Sequence, residues 1–185
     1  MYGSTDSQLT ALDIWGANAY RGKSFYSLFD DYQKKLKKPL WIAEFGIDAW
    51  HANRMNDPGN GYEDQETQSR WDGNLWDEIV RHVPMTIGGV VMEYSDEWWK
   101  AAKKNCPKID FNKEKNARNI EMCCSHHNHS GHKDYGFPGK YTSEEWFGIM
   151  SIARNTKDPH GPDQLKERKV YFNLQKKWQI NPYNN

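Results

Sequence analysis

Three short, nearly continuous apolar runs, each separated from the next by a segment of helical periodicity, leave this chain few architectures. The runs are Ala11 to Ala19, Leu40 to Phe45 and Thr86 to Met92. A strand covered on both faces reads as a continuous apolar run, and strands alternating with helices build a parallel sheet. Between the first two runs, Phe25, Leu28, Phe29, Tyr32 and Leu36 recur at helical spacing. They predict a helix from an N-cap at Ser24 to about Lys37. Lys34, Lys35, Lys37 and Lys38 crowd its last turn, where cations suit the helix dipole, and Pro39 ends it. A polar loop containing Asn-Asp-Pro-Gly-Asn-Gly follows the second run, from about Ile47 to Tyr62. An amphipathic helix is then predicted from Glu63 to His82, carrying Trp71, Leu75, Trp76 and Ile79. After the third run comes a long irregular stretch, about Glu97 to Tyr141. The last helix is predicted from about Asp163 to Trp178, entered through Gly161-Pro162 with proline at its first position.

In each unit the distinctive polar residues stand just after the strand: Asn18, Tyr20 and Arg21, then Glu44, then Glu93 and its neighbours. In a parallel sheet these positions share one edge, and in a (β/α)8 barrel that C-terminal edge carries the chemistry. Three strands do not close such a barrel, which takes eight strands and typically about 250 residues. The chain has 185 residues, a length that suits one domain. An open three-stranded piece leaves two free edges and an apolar face. The expected architecture is therefore α/β: about three βα units forming the C-terminal part of an incomplete barrel. Residues 1–185 would be one partial domain with a loop insertion at about 97–141. A small doubly wound sheet is the alternative, and it needs more strands than the sequence offers.

Acidic and basic residues balance at 25 each, without a long run of one sign, so neither nucleic acid nor a membrane surface is indicated as a partner. No apolar run approaches the roughly 18 residues of a membrane span. The first residues lack the basic and apolar parts of a signal peptide. Aromatic residues are abundant, at 14% with nine Trp and ten Tyr. Such side chains join a flat apolar face to a polar handle, which suits sugar rings as well as cores. A mean hydropathy of −1.01 fits long polar loops. Cys106, Cys123 and Cys124, an odd count with one adjacent pair, do not form a disulfide framework, although Cys106 has two possible partners. The run from Cys123 to Asp134 has zinc-type side chains, but its cysteines lack the usual C-x₂₋₄-C spacing. No metal and no cofactor is expected; His132 and Asp134, beside Gly136-Phe137-Pro138-Gly139, are candidates for lining a cleft instead. Asn128-His129-Ser130 fits the glycosylation acceptor pattern.

Glu44 closes an apolar strand before a glycine, and charged residues are seldom buried there unless paired or used. Three segments carry a resemblance: Asp13-Ile14-Trp15-Gly16-Ala17-Asn18-Ala19-Tyr20-Arg21-Gly22, then Ala43-Glu44-Phe45-Gly46, then Gly88-Gly89-Val90-Val91-Met92-Glu93-Tyr94-Ser95-Asp96-Glu97-Trp98-Trp99. In this order they resemble the last three βα units of clan A retaining glycoside hydrolases, and look most like family 72 β-1,3-glucanosyltransferases and related glycosidases. The resemblance spans about Leu12 to Trp99. It implies a β-glucan-like polysaccharide or oligosaccharide substrate, hydrolysis or transfer by double displacement, and Glu44 as nucleophile. Tyr20 would hold that carboxylate. Asn18, Arg21, Trp50, Glu93, Trp98 and Trp99 would bind substrate. Such enzymes draw the acid/base from an Asn-Glu pair ending the fourth barrel strand, and this chain has no such segment. The expectation is therefore a glycosidase fragment without its own acid, with Glu93 an awkward substitute on a neighbouring strand. Two alternatives stay open: a non-catalytic carbohydrate-binding remnant, or one half of a split barrel completed by a partner chain or by self-association. Secretion or a cell-surface location is what the resemblance implies.

Overall fold

The computed structural model describes residues 4–54, 57–97, 100, 132–134, 136–153, 155, 157–158 and 161–182. Its centre is a three-stranded parallel sheet: β1 (Trp15–Asn18), β2 (Leu40–Phe45) and the strand Thr86–Val91, in that spatial order. Between the second and third of these lies an antiparallel hairpin, β3 (Trp50–Arg54) and β4 (Asp57–Glu63), so Thr86–Val91 is β5. Short strands β6 (His132–Lys133) and β7 (Tyr141–Thr142) pair antiparallel, as do β8 (Met150–Ala153) and β9 (Gln164–Glu167). Among the described residues the α-helices are α1 (Leu28–Lys35), α2 (Gln65–Arg81) and α3 (Lys169–Trp178). The chain is thus mixed α/β around a parallel sheet, as the alternation predicts.

The core lies between this sheet and the helices. Phe25, Leu28, Phe29 and Tyr32 meet Leu40, Ile42 and Phe45 of β2 and Leu75 and Ile79 of α2. Burial of each such side chain contributes about 1.5–3 kcal/mol. The opposite face of the sheet is exposed at two of its described apolar residues: Trp41, between Gly16 and Gly88 on its neighbours, is 43% exposed, and Val90 of β5 is exposed as well.

Five expectations need correction. The helix after β1 begins at Leu28, not after Ser24: the Ser24 hydroxyl accepts from the Tyr26 amide at 3.0 Å, and Tyr26 sits in the left-handed region at φ 51°. That local turn consumes the cap and delays the helix by a turn. Second, the loop after β2 is largely the β3–β4 hairpin; its turn chemistry was legible, but few apolar residues marked its strands. Third, α2 begins at Gln65 because Asp64 caps it, accepting from the Thr67 amide at 3.0 Å. Fourth, the last helix starts at Lys169 rather than near Pro162. Residues 164–167 instead pair with Met150–Ala153, and Arg168 stays extended so that its side chain can turn inward. The first strand is also shorter than the apolar run, which begins at Ala11. Trp98, Trp99, the three cysteines and the Asn128 motif lie outside the described residues, as does most of the predicted insertion.

Arg168 is fully buried. Its guanidinium donates to both carboxylate oxygens of Asp96, at 2.5 and 2.8 Å, to Glu63 at 2.7 Å, and to the Gly148 carbonyl at 2.7 Å. It also lies over the Trp146 ring, 5.5 Å from the centroid. One side chain therefore fastens the entry to α3 to the hairpin, to the segment after β5, and to the segment before β8. Elsewhere Asp48 and Asp72 are buried, and burial pushes both carboxyls well above their usual range. Asp48 still accepts from the Ser143 amide at 2.5 Å, tying the chain after β2 to residues 143–147.

Candidate active site

Glu44 reaches its position through a bulge. Asn18 pairs with Glu44 and Ala17 with Ile42, so β2 spends one more residue than β1 across this step. Against β5, Ile42 pairs with Gly89 and Phe45 with Val91, which again leaves one residue extra in β2. Strict alternation would put Glu44 on the helix-covered face with Leu40 and Ile42. The extra residue changes the side chains' sides, so Phe45 enters the core and Glu44 turns into the cavity at the sheet's C-terminal end.

The ends of the three strands are tied together there. The Ala19 amide donates to the Glu44 carbonyl at 2.8 Å, and the Met92 amide to the Phe45 carbonyl at 2.7 Å. A Cβ at Gly46 would stand 2.2 Å from the Met92 carbonyl oxygen, so the residue after Glu44-Phe45 must lack a side chain. This accounts for the glycine of the Glu-Phe-Gly run. A cis peptide joins Met92 to Glu93.

A cavity of about 510 Å³ opens above this edge. Glu44, Tyr20 and Met92 form its floor, Phe137 and Phe147 an apolar wall, and Asp134, Thr142, Glu144 and Lys100 the polar rim. The Tyr20 hydroxyl donates to Glu44 Oε2 at 2.8 Å and lies against Met92 Sδ. Burial, then the bond to Glu44, pushes the Tyr20 phenol far above its ordinary value, so it remains a donor at any ordinary pH. Its ring is fixed edge-on to Phe147, with centroids 5.8 Å apart. The wall is held close to β1 at Gly22, whose φ is 80° and where a Cβ would lie 1.9 Å from the Gly136 carbonyl oxygen. Asp134 organises the turn that carries Phe137, accepting from the Gly136 amide at 2.9 Å.

The structure brings together only some of the residues singled out by sequence. Glu44 and Tyr20 meet in a direct hydrogen bond. Asn18 stands beside Glu44 in register, exposed at the end of β1. Arg21 is exposed and donates to the Phe25 carbonyl at 3.3 Å, away from the cavity lining. Trp50 stacks on Trp146 at 4.9 Å between centroids, with Gly61 packed against its indole, so its ring takes part in a protein stack. Glu93 is half-buried beside Glu97; burial first, then Glu97, pushes its carboxyl up to about 8. It does not line the cavity. Glu97 in turn pairs with Lys100 at 2.5 Å. Of the two cleft candidates in the later loop, Asp134 does line the cavity.

Sequence reasoning did not single out Lys100, Thr142, Glu144 or Phe147. All lie outside the three segments that carry the resemblance, and no periodicity marks them. Among the described residues, no three His, Cys, Asp or Glu side chains converge as metal ligands, and no helix is long and apolar enough to cross a membrane.

No family model matches the chain, and no curated protein matches it. Among solved structures, it is similar to the β-glucuronidase of Bifidobacterium dentium complexed with coumarin-3-O-glucuronide, at 15% identity and a TM-score of 0.43. The match covers 91% of this chain and 21% of that one, so this chain spans about a fifth of that protein's length.

Proposed function

We propose that this chain is part of a (β/α)8 glycoside-hydrolase barrel that works by a retaining mechanism, with Glu44 as the nucleophile. The observation that carries the reading is the Tyr20–Glu44 hydrogen bond of 2.8 Å, on the floor of a cavity at the C-terminal edge of a parallel sheet. Glu44 attacks the anomeric carbon and forms a glycosyl-enzyme, which water or a second sugar then resolves. Tyr20, a permanent donor, fixes the carboxylate oxygen and keeps the attacking group in place. The substrate class, a β-glucan-like polysaccharide, rests on the resemblance of the three strand-end segments, and the proposal stops at the clan.

The exposed sheet face favours completion by further strands, supplied by a partner or a second copy. Trp41 and Val90 would then belong to the apolar interior of the barrel. Turnover of laminarin and other β-glucans, followed by reducing-end release and product chain length, tests the catalytic reading. Activity that disappears in Glu44→Gln supports it. Sugar binding that survives Glu44→Gln, with no turnover by the parent chain, would leave a carbohydrate-binding remnant instead.

A further inference from the structure

Resting on the reading of Glu44 as nucleophile, we infer that Met92 is an oxidation site, and that its sulfoxide takes the Tyr20 hydrogen bond away from Glu44. Tyr20 has one hydroxyl hydrogen to give. That hydroxyl donates to Glu44 Oε2 at 2.8 Å and is in direct contact with Met92 Sδ. A thioether sulfur is a weak acceptor and a carboxylate a strong one, so in the reduced chain the hydrogen goes to Glu44. The backbone of Met92 is tied to the same strand. Its amide donates to the Phe45 carbonyl at 2.7 Å, and its carbonyl oxygen fills the space that a Cβ at Gly46 would need. Met92 is thus anchored beside Glu44, with its sulfur against the hydroxyl that holds the carboxylate.

Access and chemistry both favour this methionine. Met92 is half-buried and lines the cavity of about 510 Å³, so a small oxidant reaches it there and an added oxygen has room. Of the other described methionines, Met85 packs against the core and Met150 is buried. The oxidant is a hydroperoxide, in the simplest case hydrogen peroxide. A sulfur lone pair forms the S–O bond as the O–O bond breaks. The departing hydroxide takes the remaining proton of the transferred oxygen and leaves as water. Sulfur loses two electrons, the peroxide gains them, and the product is methionine sulfoxide. Two strong acceptors then face one hydrogen. Glu44 is half-buried and lines the cavity, so water can replace Tyr20 on its carboxylate, whereas the new oxygen stands on an atom already touching the hydroxyl. Tyr20 turns to the sulfoxide, and Glu44 loses the donor that fixes it.

The test treats the full chain with hydrogen peroxide and maps oxidation by peptide mass. Met92 should oxidise ahead of Met85 and Met150. Labelling of Glu44 by a dinitrophenyl 2-deoxy-2-fluoro-β-glucoside, whose leaving group needs no acid, should then slow about 10- to 100-fold, the loss of one hydrogen bond to a carboxylate. Met92→Leu, whatever its starting rate, should label equally before and after peroxide. Tyr20→Phe should slow less than about threefold on oxidation, because the bond in question is already gone. A sulfoxide that merely blocked the cavity would slow both chains alike. Met92 oxidising after the other two, an oxidised parent that labels at its original rate, or equal slowing in Tyr20→Phe would overturn the inference. So would loss of the circular dichroism spectrum on oxidation, since the oxygen would then act through the fold. Failure of the underlying reading looks different: the untreated parent would leave Glu44 unlabelled. The carbon NMR signal of the hydroxyl-bearing ring carbon of Tyr20 then decides. It should move on oxidation in the parent and stay in Met92→Leu; a signal that stays in both overturns the inference.

Discussion

Replacing Arg168 by methionine keeps most of the side chain's volume and removes its charge, and the structure sets what that should cost. Asp96 is buried and receives two of its hydrogen bonds from Arg168; the Gly148 amide, at 3.2 Å, is the remaining donor. Breaking a buried pair from one side typically costs about 3–5 kcal/mol, because the surviving charge loses its partner without regaining water. Loss of the contact with Trp146 adds about 0.5–2 kcal/mol. The assay is urea unfolding at neutral pH, with a midpoint shift at unchanged slope read as stability. Burial already pushes Asp96 up against the pull of Arg168, and without that pull it rises further. A carboxyl raised in the folded state keeps its stabilising contribution below its unfolded pKa, and loses it as pH rises through the folded one. The deficit of Arg168→Met should therefore be smaller near pH 5 than near pH 8. Arg168→Met combined with Asp96→Leu should recover most of the loss. A single variant within about 1 kcal/mol of the parent, with no pH dependence, would refute the view that this clamp holds α3, the hairpin and the segment after β5 together.

Two further outcomes follow from the buried carboxyls and the floor of the cavity. Burial pushes the Asp48 and Asp72 carboxyls well above their usual range, whereas unfolded they ionise near about pH 4. Stability is thus full below that pH and falls as pH rises toward their folded values, by at most about 1.4 kcal/mol per unit for each group. Asp48→Asn with Asp72→Asn should flatten the decline between about pH 5 and 8 in thermal melts; an unchanged slope would contradict the upward shift. Tyr20→Phe removes one hydrogen bond to a carboxylate, worth about 1.5–3 kcal/mol. It should lower kcat/KM on β-glucosides about 10- to 100-fold while leaving the fold's circular dichroism intact.

Much of this arrangement was legible from the order of residues. Continuous apolar runs alternating with helical periodicity gave the parallel sheet, and polar residues after each run pointed to one edge. Glu44 and Tyr20, 24 positions apart, meet there. What stayed hidden depends on long-range geometry. The bulge at Ala43–Glu44 leaves no mark in a sequence whose neighbouring residues are all compatible with either face. Arg168 reads as one more surface cation beside Lys166 and Lys169 until Asp96, 72 positions earlier, is seen to hold it. Asp48 and Asp72 look like loop and helix-surface acids, because nothing local reports burial. Trp50 looks like a sugar platform, and only the fold supplies Trp146 as its stacking partner.

Glu44 is the proposed nucleophile, and trapping its covalent intermediate tests that role most directly. Incubation with the dinitrophenyl 2-deoxy-2-fluoro-β-glucoside, intact mass measurement and peptide mapping would locate the label. The predicted result is one fluoroglucosyl group per chain on Glu44, absent in Glu44→Gln and formed more slowly in Tyr20→Phe. Labelling at another carboxylate, or turnover of glucosides by Glu44→Gln at the parent rate, would contradict it.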